Sequence, residues 1–214
     1  MNTCIVIGAG DCSVAEIAVE NGDLCIAVDN GYACCRKFGI VPQMIIGDMD
    51  SMDENLLEDM EQIEASFPER VVRLCPEKDD TDMLTALRIG MEKGYRRFFI
   101  YGALGGRIEH TIANIQCLIY LKNNGARGYI LDGGITMSVL REETVAFGNT
   151  EEGYLSLFSL GEKAEGVTIT GMKYPLTDAK ITNDYPIGIS NEFIGEESRI
   201  EVKRGMLLLI LSQK

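Results

Sequence analysis

The sequence predicts an α/β N-terminal domain with a mainly parallel sheet, followed by a smaller all-β sandwich. Three observations carry this expectation. From residue 1 to about 132, short β-prone runs alternate with helical patterns, which is how a parallel sheet with packed helices is encoded. After Asp132-Gly133-Gly134 the helical period disappears and short runs rich in branched or aromatic residues take over. Glycines at 148, 153, 161, 166, 171, 188, 195 and 205 then punctuate those runs, as turns in a small antiparallel domain require. The boundary is expected near residue 134, giving domains of residues 1–134 and 135–214.

The strands expected in the first domain are Cys4 to Ile7, Leu24 to Val28, Met44 to Ile46, Val71 to Leu74, Phe98 to Tyr101 and Tyr129 to Leu131. Helices are expected over Val14 to Glu20, which stops at Asn21-Gly22, and over Met83 to Lys93, which stops at Gly94. A third covers Ile112 to Leu121, where Ile112, Ile115 and Ile119 recur at helical spacing. In the second domain the expected strands are Tyr154 to Leu160, Val167 to Thr170, Ile200 to Val202 and Met206 to Leu211.

Composition narrows the function. At 214 residues and 46% hydrophobic, the chain can bury a proper core. Its net charge of -13 repels phosphate backbones and anionic lipid surfaces, so neither nucleic acid nor membrane is an expected partner. A small cation suits this field directly. A small anion can still be held if a divalent cation bridges it to carboxylates. No basic leader precedes the first apolar run, and the protein is expected in the cytoplasm. The seven cysteines show no CxxC spacing and read as reduced, mostly core thiols. A single histidine, His110, excludes multi-histidine zinc sites.

Three segments carry the chemistry. Gly47-Asp48-Met49-Asp50-Ser51 follows an apolar strand, and in an extended segment Asp48 and Asp50 would share one face at its C-terminal end. Two carboxylates about 4 Å apart repel by about 4 kcal/mol at an effective dielectric near 20, so they invite a cation or stay solvated in an acidic turn. Lys78-Asp79-Asp80-Thr81-Asp82 opens the helix near Met83. Asp79 or Asp80 can cap that helix, and the cluster can equally hold metal, because capping needs only one carboxylate. Gly102-Ala103-Leu104-Gly105-Gly106-Arg107-Ile108-Glu109-His110 reads as a phosphate loop with a forked guanidinium donor, or as a plain strand-to-helix turn. It is not a Walker A sequence. His110 and Asn114, one helical turn apart, can face the same cleft, although a lone histidine there is more often structural. Gly8-Ala9-Gly10 after the first strand is a weak dinucleotide signal, since Ser13 stands where a third glycine belongs.

In this order the segments resemble the thiamine pyrophosphokinase family over nearly the whole chain. GDMDS (47–51) is similar to the family's GDxDS motif, KDDTD (78–82) to its DxTD motif, and GALGGRIEH (102–110) to its glycine-arginine loop. Gly171-Met172-Lys173-Tyr174-Pro175-Leu176 and Gly188-Ile189-Ser190-Asn191-Glu192 resemble its GxKYPL and GxSNE segments. The chain departs from the family's usual pattern at Asn30, where Gly is frequent, and at Glu109, where Asp is frequent.

The resemblance implies a homodimer with thiamine sites at the subunit interface. It implies transfer of pyrophosphate from ATP to the hydroxyl of thiamine, giving thiamine diphosphate and AMP with magnesium as cofactor. By residue matching, Asp48, Asp50 and Asp82 would hold magnesium with Asp79 as a further ligand, and Arg107 would touch ATP phosphates. Asp29, Thr81, Gly105, Gly106 and Asn114 join the ATP-binding set, while Ser190 and Asn191 would help hold thiamine. The rivals are a pyrophosphokinase acting on a pterin alcohol, which the segments at 171–176 and 188–192 oppose, and a silent nucleotide sensor, which AMP formation would exclude.

Overall fold

The structure, a computed structural model, describes residues 2–50, 52–75 and 79–213. The chain divides into two compact units, Met1–Gly133 and Gly134–Lys214.

In the first unit the strands are β1 (Cys4–Ile7), β2 (Leu24–Val28), β3 (Met44–Gly47), β4 (Val71–Arg73), β5 (Arg97–Tyr101) and β6 (Arg127–Asp132). The helices are α1 (Gly31–Lys37), α2 (Glu54–Ser66), α3 (Asp82–Glu92) and α4 (Ile108–Asn123). The strands lie in the order β6-β5-β1-β2-β3-β4, and each of these neighbouring pairs runs parallel. Strands CIVI and LCIAV are buried at every position. That is why they read as unbroken apolar runs rather than as alternating ones. Tyr32 and Cys35 from α1 and Met60 from α2 pack onto Ile5, Ile7 and Ile45 in one core cluster.

Helix starts follow local chemistry. Asp53 caps α2 by accepting the Leu56 N–H at 3.0 Å. The cap of α3 is Thr81, whose Oγ1 accepts the Leu84 N–H at 3.2 Å. Neither Asp79 nor Asp80 caps that helix, and Asp80 instead pairs with Arg88.

The helix expected over Val14 to Glu20 does not form. Three of its seven residues, Val14, Ile17 and Val19, are β-branched and weak helix formers. Tertiary ties also fix its beginning: the Ser13 N–H donates to Asp132 Oδ1 at 3.2 Å, and Cys12 is joined to Cys34. Ile17 alone in the segment is fully buried. That disulfide also corrects the reading of all seven cysteines as reduced. Cys4, Cys25, Cys35 and Cys117 are buried free thiols, as expected, and burial pushes Cys117 up to about 11 and, with Asp23 adding to it, Cys4 up to about 12.

The second unit is β-rich: β7 (Ile135–Arg141), β8 (Thr144–Phe147), β9 (Tyr154–Ser159), β10 (Lys163–Thr170), β11 (Leu176–Thr182), β12 (Asn191–Glu192), β13 (Ser198–Glu201) and β14 (Met206–Ser212). The order β12-β9-β14-β7 makes one antiparallel layer and β11-β10-β13-β8 another. Leu155 and Leu209 of the first layer share a core cluster with Val167, Ile181 and Ile200 of the second. No helix among the described residues is long and apolar enough to cross a membrane.

Candidate active site

Strands β1 to β4 step outward in one direction from β1, while β5 and β6 step outward in the other. The sheet therefore has a switch point between β1 and β5, where open α/β sheets place ligands beyond the strand C-termini. A cavity of about 560 Å³ opens there, within the first unit. Its walls come from the segments after successive strands: Gly8, Ala9 and Gly10 after β1, Asp29 after β2, Asp48 and Asp50 after β3, and Gly102, Ala103, Gly105, Gly106 and Arg107 after β5. Thr81, Asp82 and Met83 at the start of α3, and His110, Ala113 and Asn114 on α4, complete it.

The loops after β1 and β5 are laced together by backbone bonds, Gly8 N–H to Tyr101 O at 2.8 Å, Gly10 N–H to Gly102 O at 2.8 Å and Asp11 N–H to Leu104 O at 2.9 Å. A Cβ on Gly10 would lie 2.3 Å from Leu104 O, so only glycine allows this approach. The Gly8-Ala9-Gly10 segment, weak as a sequence signal, is therefore part of the site. The glycine pair after β1 was legible as a weak cue, but only the strand order sets it beside Gly102.

The anion-attracting wall is the start of α4. Its N-cap position is Arg107, which makes no side-chain cap, in contrast to Asp53 at α2 and Thr81 at α3. First-turn N–H groups beside a glycine loop suit phosphate oxygens. The Arg107 side chain is 71% exposed, lies 3.4 Å from Glu109 and donates to His110 Nε2. His110 and Asn114 do face one cavity. The Asn114 Nδ2 donates to Ala103 O at 2.7 Å, so this side chain also ties the glycine loop to α4.

The opposite wall is acidic. Asp48 is half-buried and its Oδ1 accepts the Asp50 N–H at 3.2 Å. Asp50 is exposed and Asp82 half-buried. The Asp29 N–H donates to Ile46 O at 2.9 Å, and its Oδ1 is shielded from solvent against Gly47, where a Cβ would fall 1.8 Å away. Asp79 is exposed and outside the cavity lining, while Ser51 and Lys78 lie outside the described residues.

The carboxylates of Asp48, Asp50 and Asp82 all line the cavity and offer the hard oxygen donors that magnesium takes. Among the described residues, no group of three or more His, Cys, Asp or Glu is already gathered about one point.

Ser190 and Asn191 belong to the second unit. Ser190 is exposed, has a left-handed backbone (φ 55°) and donates its N–H to Ser156 Oγ at 3.0 Å. Asn191 is 5% exposed. Its Oδ1 accepts the N–H of Tyr174 at 2.9 Å and of Glu192 at 3.0 Å, and its Nδ2 donates to Tyr174 O at 2.8 Å. Its amide thus holds the Lys173–Tyr174 loop. The Lys173 ammonium, 2.5 Å from Glu192, secures the same loop.

Residues 15–130 match "Thiamin pyrophosphokinase, catalytic domain" and residues 140–207 match "Thiamin pyrophosphokinase, vitamin B1 binding domain". A thiamine pyrophosphokinase of Bacillus subtilis is 32% identical over 191 residues, 88% of this chain and 87% of that protein. Thiamine pyrophosphokinase 2 of Oryza sativa subsp. japonica is 27% identical over 85% of this chain and 69% of its own. Among crystal structures, a Bacillus subtilis thiamine pyrophosphokinase covers all of both chains with a TM-score of 0.86 at 29% identity. One from Geobacillus thermodenitrificans covers 100% of this chain and 98% of its own, with a TM-score of 0.82 at 28% identity. The matched domains, the identity to relatives and the shared fold together show that the chain belongs to the thiamine pyrophosphokinase family.

Proposed function

We propose that the cavity of the first unit binds ATP with magnesium and that the β-rich unit recognises thiamine. The protein is a thiamine diphosphokinase: it transfers pyrophosphate from ATP to the hydroxyl of thiamine, releasing AMP and thiamine diphosphate. The observation that carries the site assignment is the meeting, at one sheet switch point, of an uncapped helix start with an arginine on one wall and carboxylates on another.

In this reading the hydroxyl oxygen of thiamine attacks the β-phosphorus of ATP in line and gives up its proton to solvent, the bond from that phosphorus to the α,β-bridging oxygen breaks, and AMP leaves. The chain's own work is positioning and charge neutralisation. Backbone N–H groups of the Gly105-Gly106 turn and the α4 start face the phosphate oxygens, and Arg107 adds its guanidinium fork. Thr81 keeps α3 capped so that Asp82 is held at its first position, Asn114 fixes the glycine loop, and Asp29 stands beside the acidic wall. Asp48, Asp50 and Asp82 would hold magnesium, with Asp79 at the approach to α3 as a further candidate. Bound there, the ion supplies positive charge to the transferring phosphate oxygens.

For thiamine, Ser190 offers an exposed hydroxyl, and Asn191 acts by shaping the Tyr174 loop beside it. The exposed apolar side chains Tyr174, Tyr185, Ile187, Ile189 and Ile194 flank this turn and support a homodimer whose interface carries the thiamine sites. ATP and magnesium supply make the cytoplasm the working compartment. Incubation with ATP, magnesium and thiamine should yield AMP and thiamine diphosphate in equal amounts, and absence of both products would reject the reading.

A further inference from the structure

We propose that Met49 is a positioning residue, whose buried side chain holds a left-handed backbone turn that aims Asp48 and Asp50 into the cavity. The inference rests on the reading of those two aspartates as magnesium ligands.

Regular extension would bring Asp48 and Asp50 to one face by simple alternation, but β3 ends at Gly47 and the chain does not continue as a strand. Met49 instead adopts φ 66°. Among the described residues, five non-glycine residues have positive φ: Asp29, Met49, Glu142, Asp178 and Ser190. Aspartate and serine can offset this conformation through bonds to nearby backbone, whereas a thioether offers nothing comparable. A methionine there needs tertiary support, and strained residues that persist under such support concentrate at functional sites.

The support is visible. Met49 is 3% exposed and belongs to the core cluster with Tyr32, Ile45, Met52 and Met60. Its neighbours on both sides line the cavity. The Asp50 N–H closes the turn onto Asp48 Oδ1 at 3.2 Å, and the Met52 N–H points back to Met49 O at 3.4 Å. Residue 49 is thus a core plug between two cavity carboxylates, and the turn cannot swing outward without pulling that plug from the core. Met49 is buried and does not line the cavity. It acts through the two aspartates.

The test uses Mn2+ as the probe, titrated by electron paramagnetic resonance of the free ion against intact protein, alongside the Mg2+ dependence of AMP formation. Met49→Ala removes the plug and Met49→Leu restores an apolar side chain of similar volume. Met49→Gly, which accepts the left-handed backbone without its cost, removes the plug by a route less harmful to folding. Met49→Ala and Met49→Gly should weaken Mn2+ binding and raise the half-saturating Mg2+ by about tenfold, as loss of support behind a ligand typically does. The KM for thiamine should stay within about twofold, and Met49→Leu should return Mn2+ binding to near the wild-type value.

Wild-type Mn2+ affinity in either folded plug-less variant overturns the proposal. So does a failure of Met49→Leu to restore binding while its thermal stability is normal. Asp48→Asn separates the two layers of the argument. Lost Mn2+ binding in that variant upholds the ligand assignment, whereas retained binding overturns the assignment and the positioning role with it.

Discussion

Replacing Asn191 by Ala removes three hydrogen bonds in one step. Its Oδ1 accepts from Tyr174 and Glu192 at 2.9 and 3.0 Å, and its Nδ2 donates to Tyr174 O at 2.8 Å. Two of these satisfy both backbone groups of a single loop residue. A typical net hydrogen bond contributes about 1 kcal/mol, and a buried group left unsatisfied costs about 1–3 kcal/mol. Asn191 is 5% exposed, so water does not simply replace it. A loss of about 2–4 kcal/mol follows. At about 2–4 °C per kcal/mol for a chain of this size, Tm should fall by roughly 5–15 °C.

Thermal denaturation followed by circular dichroism gives the first reading, and steady-state KM values for thiamine and ATP give the second. The KM for thiamine should rise in step with the loss of stability, because the Tyr174 loop loosens beside Ser190. Asn191→Asp retains the acceptor for Tyr174 and Glu192 but loses the donor, and should fall between wild type and Asn191→Ala. An unchanged Tm in Asn191→Ala, with a tenfold higher KM for thiamine, would refute this reasoning and make Asn191 a direct ligand.

The other predictions concern the first unit. Asp82→Asn should lower turnover about a hundredfold at saturating magnesium, the equivalent of about 3 kcal/mol in the transition state, while a Tm close to wild type shows that the fold is spared. Arg107→Lys keeps the charge but loses the fork, so it should raise the KM for ATP. With a side chain 71% exposed, its Tm should hardly move, and equal losses of stability and activity would mark a structural arginine. Asp132 is buried, and desolvation, reinforced by Asp11 and opposed by the Ser13 N–H, raises its pKa above the ordinary carboxylate value. The native protein therefore binds this proton more tightly than the unfolded chain, and ionisation at neutral pH costs stability. Asp132→Asn keeps an acceptor for Ser13 and should raise Tm at pH 7, with the gain closing as pH falls through the native pKa of Asp132.

How much of this was legible in the sequence depended on whether the signal was local. β1 and β2 announce themselves because strands buried on both faces must be apolar throughout, and the carboxylates after β3 could be placed at a strand end without coordinates. Gly105, Gly106 and Arg107 likewise form a contiguous stretch with an evident anion-binding chemistry. Long-range ties were not legible. The pattern over 14–20 has helical spacing, yet Asp132 and Cys34, distant in sequence, anchor the residues just before it. Gly8 and Gly10 gained meaning only when strand order set them against Gly102. The α3 cap falls to Thr81, the residue directly before the helix, while Asp80 pairs with Arg88. No spacing rule reveals the left-handed φ of Met49 between its two aspartates.

Which phosphorus of ATP is attacked distinguishes a pyrophosphokinase from an ordinary kinase. With ATP labelled at the γ-phosphorus, attack on the β-phosphorus carries the label into thiamine diphosphate and releases AMP in equal amount, and that is the predicted result. Labelled thiamine monophosphate accompanied by ADP would mean attack on the γ-phosphorus and would contradict it.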